Sequence, residues 1–273
     1  MNPIFTIGLF PEIDKKLIEL LRSLSNKDWD KQTLAPQWCV KDVAVHLLDG
    51  NIRTLSMLRD QYFGVKPEDI NNYQDLVSYL NKLNADWVIA MKRVSPSVLI
   101  DLLETTGKAY IQYLSTLDPF GDAIFSVAWA GEQNSTNWFH IAREYTEKWH
   151  HQQQIRFAVG QEDVLYEKEY YYPYLETSMR ALPHHYQNII GENNATIKFS
   201  IDTYDWYLQS NGNHWKLKTD VSIEPICEVT IDSRIAWRIF TKGIAKNESL
   251  EKIIIKGNQS LGIHIVDMLA IMA

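Results

Sequence analysis

The stretch that decides the fold is "NWFHIAREYTEKWHHQQQIRFAVG", residues 137–160. Good N-cap residues precede it and a glycine ends it, so it predicts one long helix. Within this helix Glu147 and His151 are four residues apart and therefore share a face. This polar face is either the solvent side of a surface helix or a buried face that is satisfied by a metal ion, because buried charges need partners.

Earlier segments of the chain also have the spacing of amphipathic helices. Apolar residues recur there every three or four positions, with no convincing strand between the segments. Long amphipathic helices in this arrangement predict an antiparallel bundle. The four segments are residues 12–24, 40–64, 73–94 and 97–117.

The second half of the chain has a different pattern. Residues 170–182 predict one more helix, after which short segments alternate in strand fashion around a turn at 211–213. The whole chain is therefore predicted to be α+β. We expect a helical bundle over 1–165, a small α+β unit over 185–273 and a connecting helix or linker over 166–184.

Composition limits the classes of function. Hydrophobic residues make up 45% of the 273 residues, which supports a sizeable core, and the net charge of -7 argues against nucleic-acid binding. No apolar run approaches the roughly 20 residues of a membrane span, and the first residues lack the basic region of a signal peptide. Cys39 and Cys227 are far apart and predict reduced thiols in a cytoplasmic protein.

A third candidate ligand lies on another predicted helix. His46 stands between Val45 and Leu47 in an apolar segment. A single histidine in such a place is more often a core residue than a ligand, but bundle interiors do hold metal sites built from facing helices. Together with Glu147 and His151, His46 would give zinc or a similar ion three ligands and an open position.

The paired histidines leave a choice of ligand. His150 and His151 both lie within a turn of Glu147, but neighbouring helical residues point about 100° apart, so we expect only one to bind the ion. His151 shares a stripe with Gln154, which can steady the second ring nitrogen. His150 shares a stripe with Thr146 instead.

Two segments in this order carry a family resemblance. "WCVKDVAVHLLD" at 38–49 and "EKWHHQQQIRFAVG" at 147–160 resemble the mycothiol-dependent maleylpyruvate isomerase family, within the DinB-like metal-binding superfamily. The resemblance implies an N-terminal four-helix bundle in which His46, Glu147 and His151 bind a divalent metal, usually zinc. The tail, at 236–243, 253–257 and 268–273, is similar to the small sterol-carrier-like domain of that family.

The resemblance also implies a reaction. In the family a metal-bound thiolate, from a low-molecular-weight thiol of the mycothiol or bacillithiol type, attacks an electrophile. We therefore expect a thiol transferase or a maleylpyruvate-isomerase-like enzyme that acts on a small molecule, as a monomer or a homodimer. Gln154 stands where the family often has Asp, which leaves the isomerase activity open. A metal-dependent hydrolase and a non-enzymatic metal- or small-ligand-binding protein are the alternatives.

Other conspicuous side chains are expected to have structural roles. Cys39 is predicted to be a buried cysteine at the start of a helix, and the tryptophans to lie in the core. His184 and His185 are predicted to be exposed linker residues. Cations on the helix at 234–243 are expected to lie on a solvated face, although one of them could hold a substrate carboxylate. The residues concerned are Trp38, Trp129, Trp138 and Trp149, and Arg234, Arg238 and Lys242.

Overall fold

The computed structural model describes residues 2–65, 70–219 and 221–271. Its first half is helical, as the apolar spacing predicted. Capping residues mark the helix termini. Ser95 accepts a hydrogen bond from the amide of Val98 at the start of the fourth long helix. Gly160 takes the left-handed conformation, with φ of 72°, at the end of the fifth. The helices are α1 (Phe10–Ser23), α2 (Val40–Thr54), α3 (Tyr73–Met91), α4 (Pro96–Leu114) and α5 (Asn137–Val159).

Four of these helices form the bundle. α1 and α2 each pack against both α4 and α5, whereas α3 packs against the outside of α2. Leucine, isoleucine and valine side chains fill the space between them, with Leu21, Leu48 and Leu99 almost fully buried. α2 continues beyond Thr54 as one wider π-helical turn, Leu55–Arg59. The predicted α+β class with a helix-rich N-terminal region is confirmed.

α5 is the central helix of the molecule. From Tyr145 to Arg156 every residue except Glu147 is buried, including a run of histidines and glutamines. A helix that is buried all round belongs to the core of a protein. The interpretation of the segment as the polar face of a surface helix is therefore wrong, and its polar groups need partners inside the molecule.

The second half begins with helices and continues as a sheet with helices on one face. A 3-10 turn, Met179–Ala181, joins the first two of these helices, and another, His264–Asp267, follows the last. In chain order the elements are α6 (Lys168–Ser178), α7 (Leu182–His185), β1 (Asn193–Ile201), β2 (Tyr204–Asn211), β3 (Trp215–Lys218), β4 (Cys227–Ile231), α8 (Ser233–Phe240), α9 (Lys246–Glu251), β5 (Ile253–Gly257) and α10 (Gln259–Ile263).

The five strands form one mixed sheet in the order β3-β2-β1-β4-β5. β1 pairs antiparallel with β2 and parallel with β4, and the two outer pairs are antiparallel. Alternate residues of β1, among them Ile197, Phe199 and Ile201, are fully buried on the face that meets the helices. The sheet therefore packs as the second layer of an α+β arrangement.

One apolar core joins the two halves of the chain. It runs without interruption from Phe10 in α1 through Trp149 in α5 and Tyr174 in α6 to Trp237 in α8. The ring of Trp149 stacks on that of Tyr174, with centroids 4.1 Å apart, and meets the ring of Trp237 edge-to-face at 6.1 Å. The segment 166–184, predicted as a connecting helix or linker, contributes side chains such as Tyr174 to this core.

Candidate metal centre

The centre forms where α2 packs against α5. The ring of His46, from α2, lies 4.6 Å from the ring of His151, from α5, at an interplanar angle of 70°. Trp38, just before α2, covers this pair, with its ring 4.9 Å from His46 and 6.4 Å from His151. The tertiary fold therefore brings together two of the three predicted ligands from helices that are far apart in sequence.

Glu147 joins this cluster from one turn earlier in α5. Its Oε2 lies 3.5 Å from Nε2 of His151 and 3.9 Å from Nδ1 of His150. Ligand atoms of Glu147, His150 and His151 all lie within 4.8 Å of one another, so these three side chains form a compact donor group. This group contains two of the predicted ligands, Glu147 and His151, together with His150, whereas His46 approaches it through the contact of its ring with His151.

His150 lies closer to the cluster than helix geometry alone predicts. Its ring centroid is 3.8 Å from that of His151, although the two Cα–Cβ bonds diverge. Rotation about the side-chain bonds allows neighbouring imidazoles to come together in this way. Nδ1 of His150 is 3.2 Å from the carbonyl oxygen of Thr146, so that ring nitrogen donates to the helix backbone.

The imidazoles of His46 and His150 are held in their neutral form. Burial lowers the pKa of His46 far below its ordinary value, and the charges of His151 and Arg53 lower it further. Burial lowers the pKa of His150 in the same way, with His151 as the next cause. Neutral imidazole is the form that binds metal ions.

A buried nitrogen at the centre lacks a protein partner. Nδ1 of His46 is inaccessible to solvent and, within the described residues, makes no hydrogen bond. Buried polar atoms in folded proteins nearly always have a partner, which can be an ion or a water molecule. Two imidazoles and a carboxylate are also the donors that zinc accepts, so the residues present fit a divalent metal.

Two further side chains border the centre, and sequence reasoning did not single them out. Arg53 lies seven residues after His46, two turns along the same face of α2, and forms an ion pair of 3.0 Å with Asp49. Tyr174 lies on the other side: burial first, and then the charge of Glu147, raises the pKa of its hydroxyl. The spacing of seven residues from His46 is a sequence signal for Arg53, whereas no spacing in the sequence relates Tyr174 to the predicted ligands.

A buried polar layer lies beside the centre on α5. Nζ of Lys148 is 2.9 Å from Oδ1 of Asp14 in α1 and 3.0 Å from Oδ1 of Asn51 in α2. The same ammonium lies 4.8 Å from the centre of the Tyr110 ring in α4, and the Tyr110 hydroxyl donates to Glu144 in α5. These contacts tie all four bundle helices together around the metal-ligand segment.

The remaining candidates lie away from the centre. Cys39 is the half-buried N-cap residue of α2, and its thiol donates to Asp42 over 3.2 Å. Arg234 forms an exposed ion pair with Asp163, Arg238 lies over the ring of Phe157, and Lys242 is exposed.

The prediction that His184 and His185 are exposed linker residues is wrong. Both side chains are half-buried. Nε2 of His185 is 2.8 Å from the carbonyl oxygen of His264, and Nε2 of His264 is 3.0 Å from that of His185. The C-terminal segment folds back over α7, which converts a connecting segment into an interior contact.

Fold and donor cluster together define an α+β protein with a candidate metal centre inside an N-terminal helical bundle. The chain belongs to the mycothiol maleylpyruvate isomerase N-terminal domain family, whose sequence profile matches residues 10–156, more than half of the chain. This match confirms the resemblance carried by 38–49 and 147–160.

A crystal structure of a mutant of the mycothiol-dependent maleylpyruvate isomerase is similar at 9% sequence identity and a TM-score of 0.46, over 85% of this chain and 86% of that one. No protein of curated function matches the sequence. Across the described ranges, none of the helices combines the length and the apolar character that a membrane span requires.

Proposed function

We propose that this chain binds one divalent metal ion, zinc, through His46, Glu147 and His151, and acts as a thiol-dependent transferase or isomerase on a small electrophile. The observation that carries the proposal is the convergence of His46 from α2 with Glu147 and His151 from α5. The link of the matched family to a mycothiol maleylpyruvate isomerase supports the choice of a low-molecular-weight thiol as the second reactant.

The side chains around the centre support a catalytic site more than a purely structural one. Structural zinc sites have four protein ligands, whereas catalytic sites have three and keep a position open for a reactant. We assign His46, Glu147 and His151 as the three ligands, because the ring of His46 lies against that of His151, and the fourth position is left for the thiol.

Each neighbouring residue has a task in this proposal. Bound zinc would supply a Lewis acid that lowers the pKa of an incoming thiol. Gln154 accepts a hydrogen bond from His151 and so holds the imidazole with its other nitrogen toward Glu147. Trp38 forms an apolar wall over both histidine rings, which limits the access of water. Arg53, whose charge acts on His46, holds an anionic group of the substrate.

The test is metal content and thiol binding of the purified protein. Elemental analysis after mild dialysis should give one zinc per chain, and native mass spectrometry with mycothiol, bacillithiol and glutathione should give a 1:1 complex with one of them. Glu147→Gln should lose the metal, whereas the exposed Glu169→Gln should keep it.

Each negative result has a distinct meaning. A wild-type protein that carries no metal and takes up none on titration would refute the metal centre. A metal-loaded protein that binds none of the thiols, but hydrolyses ester or amide substrates, would favour the hydrolase instead. A loaded protein that does neither would favour a binding protein.

A further inference from the structure

Arg156, near the end of α5, is a buried cation without an anionic partner. Its side chain is 4% exposed. One terminal nitrogen donates to the carbonyl of Gln161 over 3.3 Å and the other to the carbonyl of Lys16 over 3.0 Å. Its Nε is buried and, in the part of the chain that the structure describes, has no hydrogen-bond partner.

Other buried cations of this protein are paired with carboxylates. Arg180 lies 2.7 Å from Glu176, and Lys148 lies 2.9 Å from Asp14. For Arg156, no carboxylate oxygen of the described residues lies within the 4.0 Å of an ion pair. Burying a charge is unfavourable unless a partner compensates it, and the partners of Arg156 are two backbone carbonyls rather than a carboxylate.

An open cavity lies beside this guanidinium. Arg156 lines it together with Lys16, Glu19, Ser23 and Gln161, between α1 and the loop that follows α5. Lys16 is half-buried, and its ammonium lies 5.0 Å from the centre of the Tyr170 ring. Two cations and a hydroxyl therefore border one opening, with the exposed Glu19 as the acidic member.

We propose that this cavity is a binding site for a small oxyanion, a carboxylate or a phosphate group, which pairs with Arg156 and Lys16. The Nε–H and an adjacent terminal N–H form one of the edges through which a guanidinium binds two oxygens at once. The two backbone carbonyls fix the plane of the guanidinium in advance, which lowers the entropic cost of binding.

The charge state of Arg156 agrees with this role. Burial lowers the pKa of the guanidinium to about 10, while the charge of Glu19 opposes the shift. The group is still cationic at neutral pH, and an oxyanion at Nε would restore the interactions that burial removes.

The site is distinct from the metal centre. Arg156 follows His151 by five residues, which places the two side chains about 140° apart around α5. His151 points toward α2, whereas Arg156 contacts α1 and the loop after α5. Anion binding is therefore expected to persist when the metal ligands are removed.

Titration calorimetry with inorganic phosphate and with acetate tests the proposal. The titrations use full-length His151→Ala protein, at an ionic strength held constant with sodium chloride, so that phosphate binding to a metal cannot contribute. Saturable 1:1 binding of phosphate or acetate is expected. The anion with the higher affinity identifies whether the site prefers a phosphate or a carboxylate group. The absence of saturable binding of both anions would overturn the proposal.

Variants in the same background locate the site. Arg156→Lys keeps the charge but loses the two-oxygen edge and should weaken binding about tenfold or more, the loss of one charge-assisted hydrogen bond. Lys16→Gln should weaken binding severalfold and retains the backbone carbonyl that orients Arg156, so it gives a result even where Arg156→Lys does not fold. Glu19→Gln should tighten binding, because a competing negative charge is removed.

Lys15→Gln is the matched control, since Lys15 is an exposed neighbour on the same helix. Equal affinities of Lys15→Gln and Lys16→Gln would overturn the proposal. Binding that occurs only after Glu19→Gln would also overturn it, because Glu19 would then be the counter-ion of Arg156.

Discussion

Nδ1 of His151 lies 3.0 Å from Oε1 of Gln154, and both side chains are buried. An amide oxygen can only accept a hydrogen bond, so Nδ1 of His151 carries the proton and Nε2 keeps its lone pair. That Nε2 is the nitrogen 3.5 Å from Glu147. The glutamine thus selects the tautomer of His151 that can bind a metal beside the carboxylate.

Removal of this hydrogen bond should weaken metal binding. We expect Gln154→Ala to lower zinc affinity by about 10- to 100-fold, the usual effect of losing a group that orients a ligand. Gln154→Asp should raise the affinity above that of the wild type, because a carboxylate increases the basicity of the imidazole. Chelator competition measures both. Gln153→Ala is the control, since Gln153 donates to the Glu162 carbonyl instead; an equal loss in that variant would contradict the assignment.

The two neighbouring histidines should differ in their contribution to metal affinity. We expect His151→Ala to lower zinc affinity by more than about 100-fold, because loss of a ligand exceeds loss of an orienting group. His150→Ala should have a much smaller effect, because neighbouring helical residues point about 100° apart and His151 is the one whose ring meets His46. Chelator competition measures the zinc affinities of the two variants side by side. A larger loss in His150→Ala would assign the ligand to His150, within the compact group it forms with Glu147 and His151.

The buried ion pair beside the centre should control stability. We expect Lys148→Ala to lower the free energy of unfolding by about 3–5 kcal/mol, because the Asp14 carboxylate loses its cation. The double variant Lys148→Met, Asp14→Leu should recover much of this loss. Urea denaturation measures both, with Lys108→Ala as the control, because its pair with Glu104 is largely exposed and should contribute little to stability. A loss of similar size in Lys108→Ala would contradict the prediction.

His140 should make stability depend on pH. Burial lowers its pKa from 6.5 to about 4, with Glu144 opposing and Arg143 adding to the shift. Between these values the unfolded chain binds a proton that the folded protein does not, so stability is complete above pH 6.5 and falls as the pH drops toward 4. The full loss from this residue is about 3 kcal/mol.

His140→Gln should remove that part of the slope, because glutamine does not titrate and can still accept from Arg143. Denaturation at several pH values, on chelator-treated protein, compares it with His214→Gln, which changes an exposed histidine. An unchanged slope in His140→Gln would contradict the prediction.

The boundary between the two halves, predicted within 160–190, also has an experimental test. Limited proteolysis should cut first near Ile190, which is 93% exposed, rather than within α6, where Tyr171 and Tyr174 are buried. The fragment that holds His46, Glu147 and His151 should keep the zinc. A first cut inside the bundle, for example near Gly64, would count against this boundary.

Local sequence signals determined the elements of this protein. The 3.6-residue spacing of apolar side chains, the cap at Ser95 and the glycine at 160 are properties of short segments, so they predict helices without knowledge of the fold. The E-x-x-x-H spacing of Glu147 and His151 predicts a shared helical face for the same reason. The family match then rests on segments that can be read directly from the chain.

Only the tertiary structure decided what these segments face. The surroundings of α5, the approach of His46 to His151 and the rotation of His150 toward its neighbour all depend on how helices distant in sequence pack. The uncompensated charge of Arg156 and the reciprocal contact of His185 with His264 likewise arise between segments far apart in the chain. The physical reason is that helix periodicity specifies directions around one axis, whereas burial and contact depend on which other elements occupy the space in those directions.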